Sequence, residues 1–242
     1  MIKRGELGNF GVKLGRCSSM DAAQDGDLQR IQDAYPEGCD AARLNRKDED
    51  GRTALHWASA VSKLPGKQHS EVVRYLLSCN ADPNLKDDGG WTPILSAASA
   101  GNVDSVRALK DGGADILAAE PGGDCTPLLL AASKGHVEVV SFLLDSGAKV
   151  TDTDCNEQNP LHRASGAGRH GVVKLLLSET AVKVNAPDRE GSTALHLAMY
   201  EQHEAATRAL LDAGASTKSK NNKGETPLAL APDTFCEAVL NT

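Results

Sequence analysis

Asp50-Gly-Arg-Thr-Ala-Leu-His-Trp-Ala58 holds a four-residue core, Thr53-Ala-Leu-His56, that returns five more times along the 242-residue chain. The later copies are Thr92-Pro-Ile-Leu95, Thr126-Pro-Leu-Leu129, Asn159-Pro-Leu-His162, Thr193-Ala-Leu-His196 and Thr226-Pro-Leu-Ala229. Their first residues, 53, 92, 126, 159, 193 and 226, are spaced by 39, 34, 33, 34 and 33. Each piece has a physical reason. Thr or Asn caps a helix through its side-chain oxygen. Pro93, Pro127, Pro160 and Pro227 fall at the first helical position, where a missing N–H costs nothing. Small pairs such as Ala97-Ala98 and Ala131-Ala132 let helices stack closely. Gly101, Gly135 and Gly168 end the first helix of a block. Val and Leu at helical spacing, as in Val72, Val73, Leu76 and Leu77, build the second.

A period of about 33 residues opening on T-P-L-H-x-A is the ankyrin signature. The fold class is therefore an all-α ankyrin-repeat solenoid: stacked helix-turn-helix units with short β-hairpin tips, about seven counting degenerate caps. Residues 1–18 fit no repeat and read as a disordered tail. The array then runs over 19–242, with a first cap at 19–46, full repeats over 47–218 and a C-cap at 219–242. One block departs from the period. Six extra residues fall within 61–70, which reads as a tolerated insertion between two helices.

Composition agrees and excludes. Aromatic residues are 3 % of the chain, low for one large core but suited to many small Ala, Leu and Val interfaces. The net charge of −7 gives no general attraction for nucleic acid. No apolar run approaches the ~20 residues of a membrane helix, and no signal-peptide segment is visible. The six cysteines form no C-x-x-C and no cluster with His, so reduced intracellular thiols are expected and a bound metal is not.

Little in the sequence suggests catalysis. Gly166-x-Gly168-x-x-Gly171 matches a dinucleotide fingerprint, but it follows a helix and Gly168 occupies the turn position of the repeat. His56, His162 and His196 recur at one register position and read as hydrogen bonds holding the turn. No nucleophile-base pair and no cofactor cradle is legible, so the chain is expected not to be an enzyme and to need no cofactor.

What remains is a surface. The residue before each cap is Arg52, Trp91, Cys125, Gln158, Ser192 or Glu225, and five positions on stand Trp57, Ser96, Leu130, Arg163, Leu197 and Leu230. Both tryptophans fall in these two columns, together with Arg52 and Arg163. Lys134 lies just beside them. Trp and Arg are the residue types most often found at binding hot spots. The tips add charge of both signs, including Asp50 and Asp88.

The chain also resembles the gankyrin family, ankyrin-repeat chaperones of the proteasome regulatory particle. Matching stretches are Asp50–Ala58, Lys86-Asp-Asp-Gly-Gly-Trp-Thr-Pro93, Ala97–Gly101, Ala131-Ala-Ser-Lys134, Leu161-His-Arg-Ala164 and Thr193–Ala198. The resemblance implies a partner, the C-terminal domain of an AAA ATPase subunit of the proteasome base, held on the concave face. It implies contacts at Arg52, Trp57, Trp91 and Lys134, with acidic tip contacts at Asp50 and Asp88. Arg163 joins them from the register columns. A monomer before complex formation and a cytoplasmic and nuclear location are expected. The family's L-x-C-x-E segment, associated with retinoblastoma protein, is not kept, since Met199 stands in the Cys position. A generic ankyrin adaptor for signalling or cell-cycle kinase partners remains the alternative.

Overall fold

The computed structural model describes residues 18–61, 68–120, 122 and 125–240. The tail expected at 1–18, apart from Ser18, lies outside the described residues, as does the middle of the 61–70 insertion.

Fourteen α-helices are described: α1 (Ser18–Asp25), α2 (Leu28–Ala34), α3 (Ala41–Leu44), α4 (Ala54–Ser59), α5 (His69–Ser78), α6 (Pro93–Ala100), α7 (Val103–Asp111), α8 (Pro127–Lys134), α9 (Val137–Asp145), α10 (Pro160–Gly166), α11 (His170–Leu177), α12 (Ala194–Tyr200), α13 (Glu204–Asp212) and α14 (Asp233–Leu240). A 3₁₀ turn, Pro227–Leu230, precedes α14. The first helices form one layer, in the order α1, α4, α6, α8, α10, α12 and the 3₁₀ turn. The second helices form the other: α2, α5, α7, α9, α11, α13, α14. That is seven stacked units. The expected all-α ankyrin solenoid is the observed one.

Close stacking follows from residue size. Ala54, Ala58, Ala97, Ala98, Ala131, Ala132, Ala164 and Ala198 are essentially fully buried between first helices. Leu76, Leu109, Leu143, Leu176 and Leu210 fill one register position of successive second helices and are also fully buried. Each such Leu removed from water stabilises by roughly 1.5–3 kcal/mol.

The tips correct one expectation. Short β-hairpins were expected, but no strand occurs among the described residues. Each tip is a tight turn closed by few backbone bonds, such as Asp48 N–H to the Arg52 carbonyl at 2.9 Å. Neighbouring tips share single bonds: Asp88 N–H to the Asp50 carbonyl, Arg189 N–H to Asn156, and Asn222 N–H to Glu190. A ladder of one bond is too short to make a strand. Gly51 adopts φ +71° in the first of these turns, a region that favours glycine.

Candidate partner-binding face

The concave face is built from the tips and the first helices, and its polar groups follow a rule. Five residues before five of the six caps stands Asp48, Asp87, Asp154, Asp188 or Asn221; before Thr126 the sequence has Pro121 instead. One side-chain oxygen closes the turn by accepting backbone N–H groups: Asp48 Oδ1 from Asp50 and Arg52, Asp154 Oδ1 from Asn156 and Gln158, Asp188 Oδ1 from Glu190 and Ser192. The second oxygen of each Asp then takes a side chain.

Those side chains come from the two columns singled out in the sequence. Arg52 and Gln158, both just before a cap, reach forward to the next tip: Arg52 Nε to Asp87 Oδ2 at 3.1 Å, Gln158 Nε2 to Asp188 Oδ2 at 3.1 Å. Trp57 and Arg163, five positions on, reach back to their own tip: Trp57 Nε1 to Asp48 Oδ2 at 2.8 Å, Arg163 Nη1 to Asp154 Oδ2 at 3.4 Å. The Arg52 guanidinium also lies 4.9 Å over the Trp57 ring. The side chains of Asp87 and Asp154 are 4 % and 2 % exposed, against 31 % and 30 % for their arginines. A carboxylate so buried needs its cation, and the half-exposed guanidinium keeps an edge toward solvent.

The candidate residues divide into two groups. Asp50, Arg52, Asp88 and Trp91 line one open depression of about 560 Å³, with Glu49, Asp87 and Gly89. Trp57 lies below it, only 8 % exposed. Trp91 packs on a small apolar cluster of Leu95, Cys125 and Leu130. Arg163 belongs to a second depression of about 300 Å³, lined also by Ser133, Gly166, Ala167, Leu197, Tyr200 and Glu201. Small residues at 133, 166 and 167 leave this groove open. Lys134 is exposed at the end of α8, beside Ser133.

Sequence reasoning missed Tyr200, which is 63 % exposed on the rim of the second groove. Its register three residues after Leu197, one turn further along the concave helix face, could have pointed to it. It also missed Asp48, Asp87 and Asp154, whose shared offset from the caps was visible but not used.

The titratable groups serve the architecture. In His56, Nδ1 accepts from the Thr53 N–H at 3.2 Å and Nε2 donates to the Trp91 carbonyl of the next repeat at 3.0 Å. His162 does the same with Asn159 N–H and the Ser192 carbonyl, and His196 with Thr193 N–H and the Glu225 carbonyl. These are the turn-holding bonds the sequence suggested. Burial holds His56 and His162 below the ordinary value of 6.5. They stand neutral at neutral pH, with both ring nitrogens engaged. Burial pushes the Cys125 thiol up to about 11, so it carries almost no thiolate. Among the described residues no group of three His, Cys, Asp or Glu converges as a metal site, and no helix is long and apolar enough to cross a membrane. The arrangement can bind side chains of another protein.

Ankyrin-repeat family models match residues 19–120, 117–188 and 190–222. The 26S proteasome regulatory subunit p28 of Saccharomyces cerevisiae is 37 % identical over 188 residues, 75 % of this chain and 79 % of that protein. The chain belongs to the gankyrin-like ankyrin-repeat family. The 26S proteasome non-ATPase regulatory subunit 10 of Dictyostelium discoideum is 41 % identical over 91 residues, which is 37 % of this chain and 36 % of that protein. Among solved structures, the ankyrin repeat domain of human ASB11 superposes with a TM-score of 0.81 at 25 % identity, covering 93 % of this chain and 97 % of that one. The last likeness concerns the fold; the first two concern the gankyrin-like branch.

Proposed function

We propose that this gankyrin-like chain is a non-catalytic assembly chaperone of the proteasome regulatory particle. It binds, as a monomer, the C-terminal domain of an AAA ATPase subunit of the base on its concave face, in cytoplasm and nucleus. The observation that carries the reading is the 37 % identity to the yeast regulatory subunit across 79 % of that protein's length. On the concave face Arg52 and Trp91 line one depression together with the acidic tip residues Asp50 and Asp88.

The geometry supports a division of labour among the residues. Arg52 and Arg163 are already paired with Asp87 and Asp154, so each offers a partner carboxylate a shared guanidinium edge rather than a free cation. Lys134 is the exposed cation of the central repeat. Trp91 and Tyr200 supply the partly exposed aromatic area, while Trp57 backs Arg52 from below. Asp50 and Asp88 are exposed on the tips and suit basic groups of the partner.

Titration calorimetry of the full chain against isolated C-terminal domains of the base ATPases tests this reading. Saturable one-to-one binding to one of them, weakened by Lys134→Glu, is the expected result. No heat with any of them, from a folded chain, would overturn it.

A further inference from the structure

Three columns of side chains tie neighbouring repeats together at several junctions, and at one junction all three positions hold residues that make no such bond. The first column is an Asn after the second helix. Asn45 Oδ1 accepts from Asp82 N–H, Asn84 Oδ1 from Asp115 N–H, and Asn185 Oδ1 from Ser216 N–H, each at 2.8–2.9 Å. The second is the cap histidine, in which His56, His162 and His196 reach a carbonyl of the following repeat. The third is the residue before the cap, through which Arg52 and Gln158 grip the next tip aspartate.

At the junction between the repeat of α8 and α9 and that of α10 and α11, these positions hold Leu117, Leu129 and Cys125. None can make the bond. Leu117 is 51 % exposed, and the Lys149 N–H that an Asn there would receive turns to Asp152 Oδ2 of its own repeat at 3.3 Å. Asp154, the tip acceptor across the junction, is taken by Arg163 of its own repeat. Among the described residues the polar side-chain links that remain are Arg169 Nε to the Ser133 carbonyl at 2.9 Å, and a long contact of 3.8 Å from Arg163 Nη2 to Cys125 Sγ. Apolar packing continues unbroken through Leu128, Leu161, Val140 and Val173.

We infer that this junction is a hinge, dividing the array into two firm plates on either side. Hydrogen bonds are directional and set the angle between repeats, whereas apolar contact is non-directional and tolerates small rotations. In a solenoid each repeat touches only its neighbours, so the softest junction localises the bending. The neighbouring junction, between the α6–α7 and α8–α9 repeats, has lost the histidine (Leu95) and has Trp91 in place of the polar residue before the cap, but keeps the Asn84 bond. The hinge runs through the edge of the second depression, with Ser133 on one side and Arg163 on the other, and the first depression lies wholly on the Ser133 side. Its opening sets the width of the second depression and its distance from the first, with Lys134 on the moving edge. It is a property of the free chain and stands whichever partner binds.

Spin-label distance measurements on the full chain test it, with labels attached through an encoded ketone side chain so that the native thiols stay. One pair, at exposed Lys110 and Lys174, spans the hinge. A second pair, at Lys174 and exposed Glu237, spans two latched junctions. The distance distribution of the first pair is expected to be about twofold broader than that of the second. The double variant Leu117→Asn/Leu129→His rebuilds two latches and should narrow the first distribution to the width of the second. Equal widths in the unmodified chain would overturn the inference, as would an unchanged first distribution in a folded double variant.

Discussion

Arg52 Nε lies 3.1 Å from the Asp87 carboxylate of the following repeat, so a residue chosen for its promise as a contact also locks two repeats together. Stability and recognition therefore share one side chain. Arg52→Glu would set two carboxylates against each other at a site where Asp87 is almost buried. We expect a loss of about 1–3 kcal/mol, discounted for the partial exposure of Arg52, in urea unfolding. A weakened partner complex in this variant would carry that structural cost within it.

Lys134 separates the two effects. It is exposed at the end of α8, and among the described residues no ion pair uses it. Lys134→Glu should leave the urea midpoint unchanged and weaken the ATPase complex about tenfold or more, with the change reduced at high salt. An unchanged affinity would remove Lys134 from the interface.

Tyr200 offers an apolar counterpart. Tyr200→Ala should leave thermal stability within about 0.5 kcal/mol, the usual range for surface substitutions, and weaken binding by roughly tenfold. Calorimetry beside a melting curve reads both. A large stability loss would mean that its ring supports the groove walls rather than a partner.

The buried histidines give stability a pH dependence. The folded values of His56 and His162 lie below 6.5, so the unfolded chain takes up their protons first as pH falls. Their contribution is complete above pH 6.5 and is lost as pH drops through the folded values, at up to about 1.4 kcal/mol per unit for each histidine. The variant His56→Leu/His162→Leu copies what Leu95 and Leu129 do in two repeats. It should cost about 0.5–1.5 kcal/mol per lost cross-repeat bond near pH 7.5 and show a flatter slope between pH 7 and 5.5. The Thr92 hydroxyl, buried without a partner beside Leu95, shows what such a replacement leaves behind.

Gly51 and Gly113 share a positive φ but not the same surroundings. A Cβ at Gly51 would meet the Asp88 backbone nitrogen at 2.7 Å, while one at Gly113 would meet nothing within 4 Å. Gly113→Ala should cost about 1 kcal/mol from conformation alone. Gly51→Ala should cost clearly more and disturb the tip pairing of Asp88 with Asp50. Equal losses in denaturant titrations would contradict the tip geometry.

Much of this architecture was legible because each repeat states its local rules on its own: a cap, Pro at the first position, paired alanines, a turn glycine. The histidine bonds were legible too, since the residue recurs at one register beside the cap. The tips read less well. Their turns are held by one oxygen of Asp48, Asp87, Asp154 and Asp188, and the other oxygen takes a side chain of the same repeat at Asp48 and Asp154 but one from the preceding repeat at Asp87 and Asp188. A column readout can select Arg52, Trp57 and Arg163, but it cannot show that aspartates already occupy them. Tyr200 was hidden because its exposure comes from small residues at 133, 166 and 167 in neighbouring repeats.

The central claim is a partner in the proteasome base. Affinity capture of the tagged full chain from native lysate, beside its Lys134→Glu variant, with mass spectrometry of what co-purifies, tests it most directly. The account predicts base ATPase subunits enriched without the proteolytic core particle, and their depletion in the variant. A folded chain that returns other proteins and no base ATPase would contradict it.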